Sequence, residues 1–169
     1  MSPRVRVGSH DAGGASALAP VVARLRERWP TRVWAHPLSA AAIPDPDRIV
    51  ESMDADEALE GLLAEGPRVL LTGTSWGGAT IDKMALGAAR KAGVPSLGLL
   101  DSWIHYRERF TARTDGEGAL LNLPDRLLVM DAEAEREMVA LGFPGSHLSA
   151  VGLTRLASLP RQAGQPGQP

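Results

Sequence analysis

The sequence predicts a single three-layer α/β domain in which helices cover a mostly parallel sheet of about six or seven strands. Short runs rich in aliphatic and β-branched residues alternate with helical stretches along the chain, as in βαβ units. Glycine followed closely by proline ends three of the helical stretches, at Gly66-Pro67, Gly93 to Pro95 and Gly142 to Pro144. The length of 169 residues suits one domain of this kind.

The predicted elements follow in a regular order. We expect strands at 4–8, 32–36, 68–72, 96–101, 126–131 and 148–152, and helices at 16–28, 54–65, 79–92 and 132–141, before a last turn around 154–159. The runs at 68–71 and 96–100 are almost continuously apolar, as central strands covered on both faces are. Segments 43–48 and 111–118 combine charge with proline or glycine and are expected at the surface. The domain should span 1–159, with 160–169 as a disordered Gln/Gly/Pro tail.

Composition excludes several classes of function. A net charge of -2 and a pI near 6.1 give no electrostatic footprint for nucleic acid or an anionic membrane. The absence of cysteine excludes thiol catalysis and cysteine-ligated zinc or iron–sulfur sites. The amino terminus leads directly into a strand, and the sequence contains neither a signal-type apolar region nor a membrane-spanning run. We therefore expect a cytoplasmic protein without a membrane span.

The loop after the first predicted strand has the character of an anion site. A glycine-rich turn from Gly8 to Gly14 opens a helix near Ala15, and the first amides of a helix attract phosphate or carboxylate groups. The spacing differs from the G-x-G-x-x-G dinucleotide fingerprint, and Ala15 stands where a phosphate-loop lysine would be.

Most of the distinctive polar and aromatic residues follow predicted strands, and so should lie at the carboxyl edge of the sheet, where open parallel sheets bind ligands. The candidate catalytic residues are His10, Asp11, Asp101 and His105. The candidate ligand-binding residues are Ser9, Gly13, Gly14, Thr74, Ser75, Trp76, Gly77, Trp103, Tyr106, Arg107 and Arg109. Acid, imidazole, phenol and guanidinium groups within 101–110 would serve acid–base chemistry with an arginine clamp on an anionic substrate.

Each of these candidates also has a purely structural interpretation. The glycine pairs would let a helix pack close to the sheet, and Asp11 would be an ordinary N-cap with His10 bonded to nearby backbone. Thr74 and Ser75 would cap the helix predicted at 79–92, and each tryptophan would be either a lid over the core or a stacking surface. Residues 101–110 would form a salt-bridged, partly exposed helix.

A metal is not implied by the sequence, although carboxylates follow three of the predicted strands. Asp11, Asp101 and Asp131 would be able to share a magnesium ion if the strands brought them together. We expect no metal and no cofactor.

Four segments in the same order resemble the amino-terminal half of bacterial glycosyltransferase-like proteins of the GT-B type. They are the GSHDAGGA run at 8–15, LTGTS at 71–75, LDSWIHYRERF at 100–110 and LPDRLLVMD at 123–131. The resemblance covers about residues 5–156 and implies a Rossmann-like domain. Proteins of this type place their active site between two such domains, and the carboxyl-terminal domain holds most of the nucleotide-sugar donor.

The resemblance implies two alternative functions. The first is an enzyme or enzyme half acting on a nucleotide-linked sugar or another phosphorylated metabolite, with His10 or Asp101 as the base. Because the chain matches one domain of two, the second is a non-catalytic ligand-binding or partner subunit that completes a cleft with another chain. In either case we expect a homo-oligomer or a complex with a second GT-B half.

Overall fold

A computed structural model describes residues 4–154 of the chain. The predicted last turn at 154–159 lies outside these residues except for Thr154, and so does the predicted tail at 160–169. The description below covers this part of the chain alone.

The sheet has seven strands, all parallel, in the order β3-β2-β1-β4-β5-β6-β7. The strands are β1 (Val5–Ser9), β2 (Thr31–Ala35), β3 (Arg48–Ile49), β4 (Val69–Thr72), β5 (Ser96–Leu99), β6 (Arg126–Val129) and β7 (Leu148–Ala150). The predicted parallel α/β sheet is therefore confirmed. The chain runs outward from β1 in one direction and from β4 in the other, so strand order reverses between these two strands, where open sheets form a crevice.

The helices are α1 (Ala12–Arg26), α2 (Pro37–Ala40), α3 (Ala55–Glu57), α4 (Ile81–Ala92) and α5 (Ala132–Ala140). A π-helical turn at Ala58–Leu62 extends α3, and a 3-10 turn at Gly145–His147 precedes β7. Both α1 and α4 begin at side-chain caps, since Asp11 accepts from the Gly14 amide and Thr80 accepts from the Lys83 amide. Helix α4 ends at Gly93, whose left-handed backbone (φ 66°) closes the last turn.

Hydrophobic packing occurs in three clusters around the sheet. Leu18 and Val22 of α1 pack with Val7 of β1 and Leu71 of β4. Leu70, the residue before Leu71 in β4, belongs to a second cluster and packs with α4 and the π-helical turn. The third cluster joins β6 and α5 to the loop after β5, and its buried members include Phe110, Leu127, Val129 and Met138.

The prediction was wrong about the single helix at 54–65. The chain forms the short α3 and then widens into the π-helical turn. A Cβ on Gly61 would lie 2.1 Å from Cη2 of Trp34, so only glycine leaves room for the indole ring at this turn. The indole is itself covered by the guanidinium of Arg48, 4.6 Å from the ring centroid.

The two segments that were expected at the surface are mostly exposed, although each contains buried residues. Ile43 is buried, and Arg48 begins the edge strand β3, which the sequence did not predict. Thr111 is fully buried, although most of 112–119 is exposed. The predicted helical alternative for 101–110 is also wrong, since these residues form successive turns.

Candidate functional site

The loops that follow β1, β4 and β5 meet at the carboxyl edge of the sheet, beside the reversal in strand order. Asp101 lies against the first turn of α1, because a Cβ on Gly13 would be 2.3 Å from its Oδ2. Gly14 approaches Gly73 in the next loop, where the equivalent distance to the Gly73 Cα is 3.4 Å. The two glycines therefore serve a close approach of α1 to these loops.

Helix α1 begins earlier than predicted, which changes the interpretation of the first loop. It begins at Ala12, so Gly13 and Gly14 lie in its first turn and not in a loop before it. The Gly14 amide donates to Oδ1 of Asp11 at 2.7 Å, so the N-cap interpretation of Asp11 is confirmed. The carboxylate of Asp11 thus satisfies one of the first amides of α1, and the Asp101 carboxylate lies beside the same turn.

His10 lies between the first loop and α4, and it is half-buried. Its Nδ1 accepts a hydrogen bond from the Ile81 amide at 3.4 Å. Its ring is 4.2 Å from the ring of His36, centroid to centroid. Burial lowers the pKa of His10, the nearby His36 adds to that effect, and Asp11 opposes it.

Asp101 and Arg109 form an almost fully buried ion pair. The Arg109 Nη1 lies 3.0 Å from Oδ1 of Asp101, and it also donates to the carbonyl oxygen of Thr74. The Arg109 Nε donates to the carbonyl of Ile104 at 3.2 Å. Burial raises the pKa of Asp101, Arg109 offsets part of this effect, and Asp11 adds to it.

Ser75 binds a fully buried carboxylate on α4. Its amide and its hydroxyl both donate to Oδ2 of Asp82, at 3.0 and 2.6 Å. Burial raises the pKa of Asp82 to about 7, although the hydrogen bond from Ser75 works against this, and the charges of Asp11 and Asp101 add to it. Ser75 is therefore not the cap of α4, and neither is Thr74, whose hydroxyl donates to the carbonyl of Leu99. Thr80 is the cap.

Lys83 joins the two loops that carry most of the candidate residues. Its buried ammonium donates to the carbonyls of Gly77 at 2.5 Å, Glu108 at 2.9 Å and Thr111 at 3.1 Å. Burial lowers the pKa of Lys83, and the charge of Asp82 opposes that effect. One side chain of α4 thus fixes the loop after β4 to the loop after β5.

An exposed aromatic surface lies on the same loops. The indole of Trp76 stacks on the imidazole of His105, with centroids 4.6 Å apart and planes 10° from parallel. Half of Trp76 (53%) is exposed, His105 adopts a positive φ of 57°, and its Nδ1 lies 3.3 Å from Oε1 of Glu108. The Trp103 Nε1 donates to Oδ2 of Asp131 at 3.0 Å. The stacking interpretation of Trp76 thus has a geometric basis, since one indole is open beside the strand-order reversal.

Three further ligand-binding candidates, Tyr106, Arg107 and Ser9, are buried or bonded within the protein. Tyr106 is buried and donates to Oε2 of Glu137 at 2.7 Å, and burial followed by this hydrogen bond raises the pKa of the phenol. Arg107 donates to carbonyl oxygens of Gly116, Gly118 and Leu141, so it holds the loop. Ser9 is fully buried.

Gly77 and Gly78 differ from the first glycine pair. Neither would bring a Cβ within 4 Å of another residue, so close packing does not explain them. Gly77 adopts a φ of 114°, which only glycine reaches without strain. They give the loop its shape beside Trp76.

Three residues of this region were missed in the sequence: His36, Asp82 and Lys83. Asp82 had a visible signal, because it lies four residues before Leu86 and seven before Ala89, on the stripe of α4 that faces the core. His36 carried none, since parallel pairing of β1 with β2 brings it beside His10.

Metal and membrane features are both lacking in the described part of the chain. Across residues 4–154, His, Asp and Glu side chains form no group of three that could hold a metal ion. The carboxylate of Asp131 instead caps α5, with Oδ1 accepting from the Ala134 amide at 2.8 Å. Within the same residues, none of the helices is both long and apolar enough to span a membrane.

Sequence comparisons give no relative. No protein-family model matches the chain. No curated protein matches it in sequence.

Solved structures share the fold at low sequence identity. The UDP-N-acetylglucosamine 2-epimerase of Rickettsia bellii is similar with a TM-score of 0.66 and 16% identity, over 93% of this chain and 47% of the epimerase chain. The UDP-GlcNAc 2-epimerase of Neisseria meningitidis, bound to UDP-GlcNAc, is similar with a TM-score of 0.62 and 14% identity, over 90% of this chain and 47% of the epimerase chain. A lipopolysaccharide outer core galactosyltransferase has a TM-score of 0.57 and 11% identity, over 88% of this chain and 45% of the transferase chain.

The chain spans about half the length of these solved structures. The predicted resemblance is therefore confirmed for the fold: the chain has the Rossmann-like architecture of a half-length, GT-B-type domain, of a kind found in proteins named for UDP-sugars and galactosyl transfer.

Proposed function

We propose that this chain is an enzyme, or half of one, that acts on a nucleotide-linked sugar or another phosphorylated metabolite at the carboxyl edge of its sheet. One observation carries the proposal. The half-buried imidazole of His10 and the carboxylate of Asp101 lie on neighbouring loops at the reversal in strand order, the place where open parallel sheets bind ligands.

The side chains divide into chemical roles. Asp101 combines a raised pKa with a fixed orientation from Arg109, which suits a carboxylate that accepts or returns a proton. His10 is the other candidate for the base. The stacked pair of Trp76 and His105 offers a flat face to a nucleobase or a sugar ring. Arg107 and Tyr106 maintain the loop.

Three structural neighbours point to one class of ligand. Two are UDP-N-acetylglucosamine 2-epimerases, one of them bound to UDP-GlcNAc, and the third is a galactosyltransferase. UDP and UDP-GlcNAc are therefore the first ligands to test. A cytoplasmic location would match such substrates.

Titration of the protein with UDP and UDP-GlcNAc, followed by calorimetry and thermal unfolding, tests this proposal. A ligand at about 100 times its Kd stabilises by about 2.7 kcal/mol, which raises the Tm of a domain of this size by roughly 5–10 °C. Asp101→Asn should weaken the response. His147→Ala is the matched control, because His147 precedes β7 at the opposite edge of the sheet. An unchanged Tm in wild type with every phosphorylated ligand would refute the proposal.

A second function, as a partner subunit that completes a cleft with another chain, is favoured by the exposed apolar groups at the same edge. Ile104, Trp76 and Trp103 are 60%, 53% and 40% exposed on the loops after β4 and β5. The partner would be a second copy of this chain or a second GT-B half.

Light scattering of the purified chain, alone and with co-purified proteins, measures this association. Trp76→Ala should release the partner. Trp29→Ala is the control, since Trp29 is partly exposed before β2, away from the carboxyl edge. A monomer with full turnover would exclude the partner function.

A further inference from the structure

His10 and His36 are held in the same way by two different parts of the backbone. The Ile81 amide at the start of α4 donates to Nδ1 of His10 at 3.4 Å. The Leu38 amide in α2 donates to Nδ1 of His36 at 3.1 Å. The two rings lie 4.2 Å apart, centroid to centroid, and both side chains are half-buried.

This arrangement determines where each imidazole carries its proton. A ring nitrogen that accepts from an amide has no proton of its own, so a neutral imidazole held at Nδ1 carries its proton on Nε2. Protonation of Nδ1 in either ring would bring two N–H groups face to face, and protonation of both rings would place two positive charges side by side. Among the neighbouring groups, Asp11 favours the charged form of His10, whereas burial and His36 disfavour it.

Three cations of the described part of this edge donate to groups within the protein. Lys83 binds three carbonyls, Arg107 binds three, and Arg109 binds Asp101 and two carbonyls. The Nε2–H groups of the two histidines have no partner in the described residues.

We infer that His10 and His36 together bind a phosphoryl oxygen of the ligand as two uncharged N–H donors, each through Nε2. This inference rests on the proposed function and sharpens it. It adds His36 to the site, and it leaves Asp101 as the base, because neither nitrogen of His10 has a free lone pair in this tautomer. Neutral donors also stabilise an oxyanion without exchanging a proton with it.

Nitrogen NMR of histidine-labelled protein, free of ligand, tests the tautomers directly. Two-bond proton–nitrogen spectra at neutral pH should show an unprotonated Nδ1 and a protonated Nε2 for both residues. Spectra of single His→Gln variants assign the signals. A proton on Nδ1 of either ring would overturn the inference, and this readout does not depend on any activity.

Binding of UDP by calorimetry tests the donor role, because two amide side chains reproduce opposite ends of the imidazole. His10→Asn keeps an acceptor near Nδ1 for the Ile81 amide but lacks the Nε2 donor. His10→Gln keeps a donor near Nε2 but loses the contact with α4. We expect the Asn variant to keep its Tm and lose about 5–10-fold in affinity for UDP, the loss of one hydrogen bond. The Gln variant should bind UDP more tightly than the Asn variant despite a lower Tm.

The same pair of substitutions at His36 should give the same order. Equal affinity of wild type and both Asn variants would refute the donor role. If wild type binds no phosphorylated ligand at all, the proposed function fails and the phosphoryl role fails with it, while the NMR result still decides the tautomers.

Discussion

Asp101 and Arg109 form an ion pair 3.0 Å long that bridges two loops at the carboxyl edge of the sheet, because Arg109 also donates to the carbonyl of Thr74 after β4. Both side chains are nearly buried, so neither charge can turn to water if its partner is removed. The pair therefore contributes to the shape of the candidate site as well as to its chemistry.

Removing Arg109 alone should be strongly destabilising. Arg109→Met leaves the Asp101 carboxylate buried and unpaired, which should reduce the free energy of unfolding by about 3 kcal/mol. Urea unfolding measures this loss. The double variant Arg109→Met with Asp101→Asn removes both charges and should recover part of it. If the double variant instead loses the sum of what Arg109→Met and Asp101→Asn each lose alone, the two residues are not coupled.

Lys83→Met should loosen both loops. Methionine has a similar apolar length but no hydrogen-bond donor, so three carbonyl oxygens lose their partner. Removal of the buried charge offsets part of this cost, and we expect the free energy of unfolding to fall by about 2 kcal/mol. Chemical unfolding and the fluorescence of Trp76 report the change. Lys91→Met on the same helix is the control, since Lys91 is exposed and should leave stability within about 0.5 kcal/mol. Equal losses of stability at Lys83 and Lys91 would contradict the role of Lys83 in joining the two loops.

Alanine at two helical glycines should have opposite effects. Gly13→Ala places a Cβ 2.3 Å from Oδ2 of Asp101, which Arg109 holds in place, so it should destabilise by about 1–3 kcal/mol. Gly87→Ala in α4 meets nothing within 4 Å and should stabilise by up to about 1 kcal/mol. Thermal unfolding should give a lower Tm for Gly13→Ala and a higher Tm for Gly87→Ala than for wild type. A neutral Gly13→Ala would mean that α1 does not approach Asp101 as described.

The stability of the protein should depend on pH through Asp82. Burial raises its pKa from 3.8 to about 7, so the folded state binds the proton more tightly than the unfolded state does. The contribution is fully present below about pH 4, falls as the pH rises towards 7, and is lost above it. Asp82→Asn does not titrate, so its stability relative to wild type should rise across this interval. Urea midpoints of both proteins between pH 4 and 8 test this, and a constant difference would contradict the raised pKa.

The parts of the fold that follow from local pattern could be predicted from the sequence. The apolar runs at β4 and β5 and the glycine–proline stops identified the parallel sheet, because these signals act within a few residues of chain. Strand β3 was not predicted, because two residues are too few to show an alternation of apolar and polar side chains. The strand is defined by its pairing with β2. The π-helical turn depends on Trp34, 27 residues before Gly61 in the chain.

The same distinction holds at the candidate site. Its position at the carboxyl edge follows from the order of strands and loops, and the N-cap role of Asp11 follows from its neighbours. The contacts of Arg107, Arg109 and Lys83 join segments that are distant in sequence, so residue type alone could not show that these side chains support the loops. The pairing of His10 with His36 depends on strand register in the same way.

Within residues 4–154, the two shortest strands border the sheet, with two residues in β3 and three in β7. An edge this short offers an incoming strand few unpaired amides and carbonyls, which opposes open-ended stacking of copies side by side. The short strands at the borders of the sheet therefore disfavour aggregation. Recognition of a ligand or partner is left to the loops at the carboxyl edge.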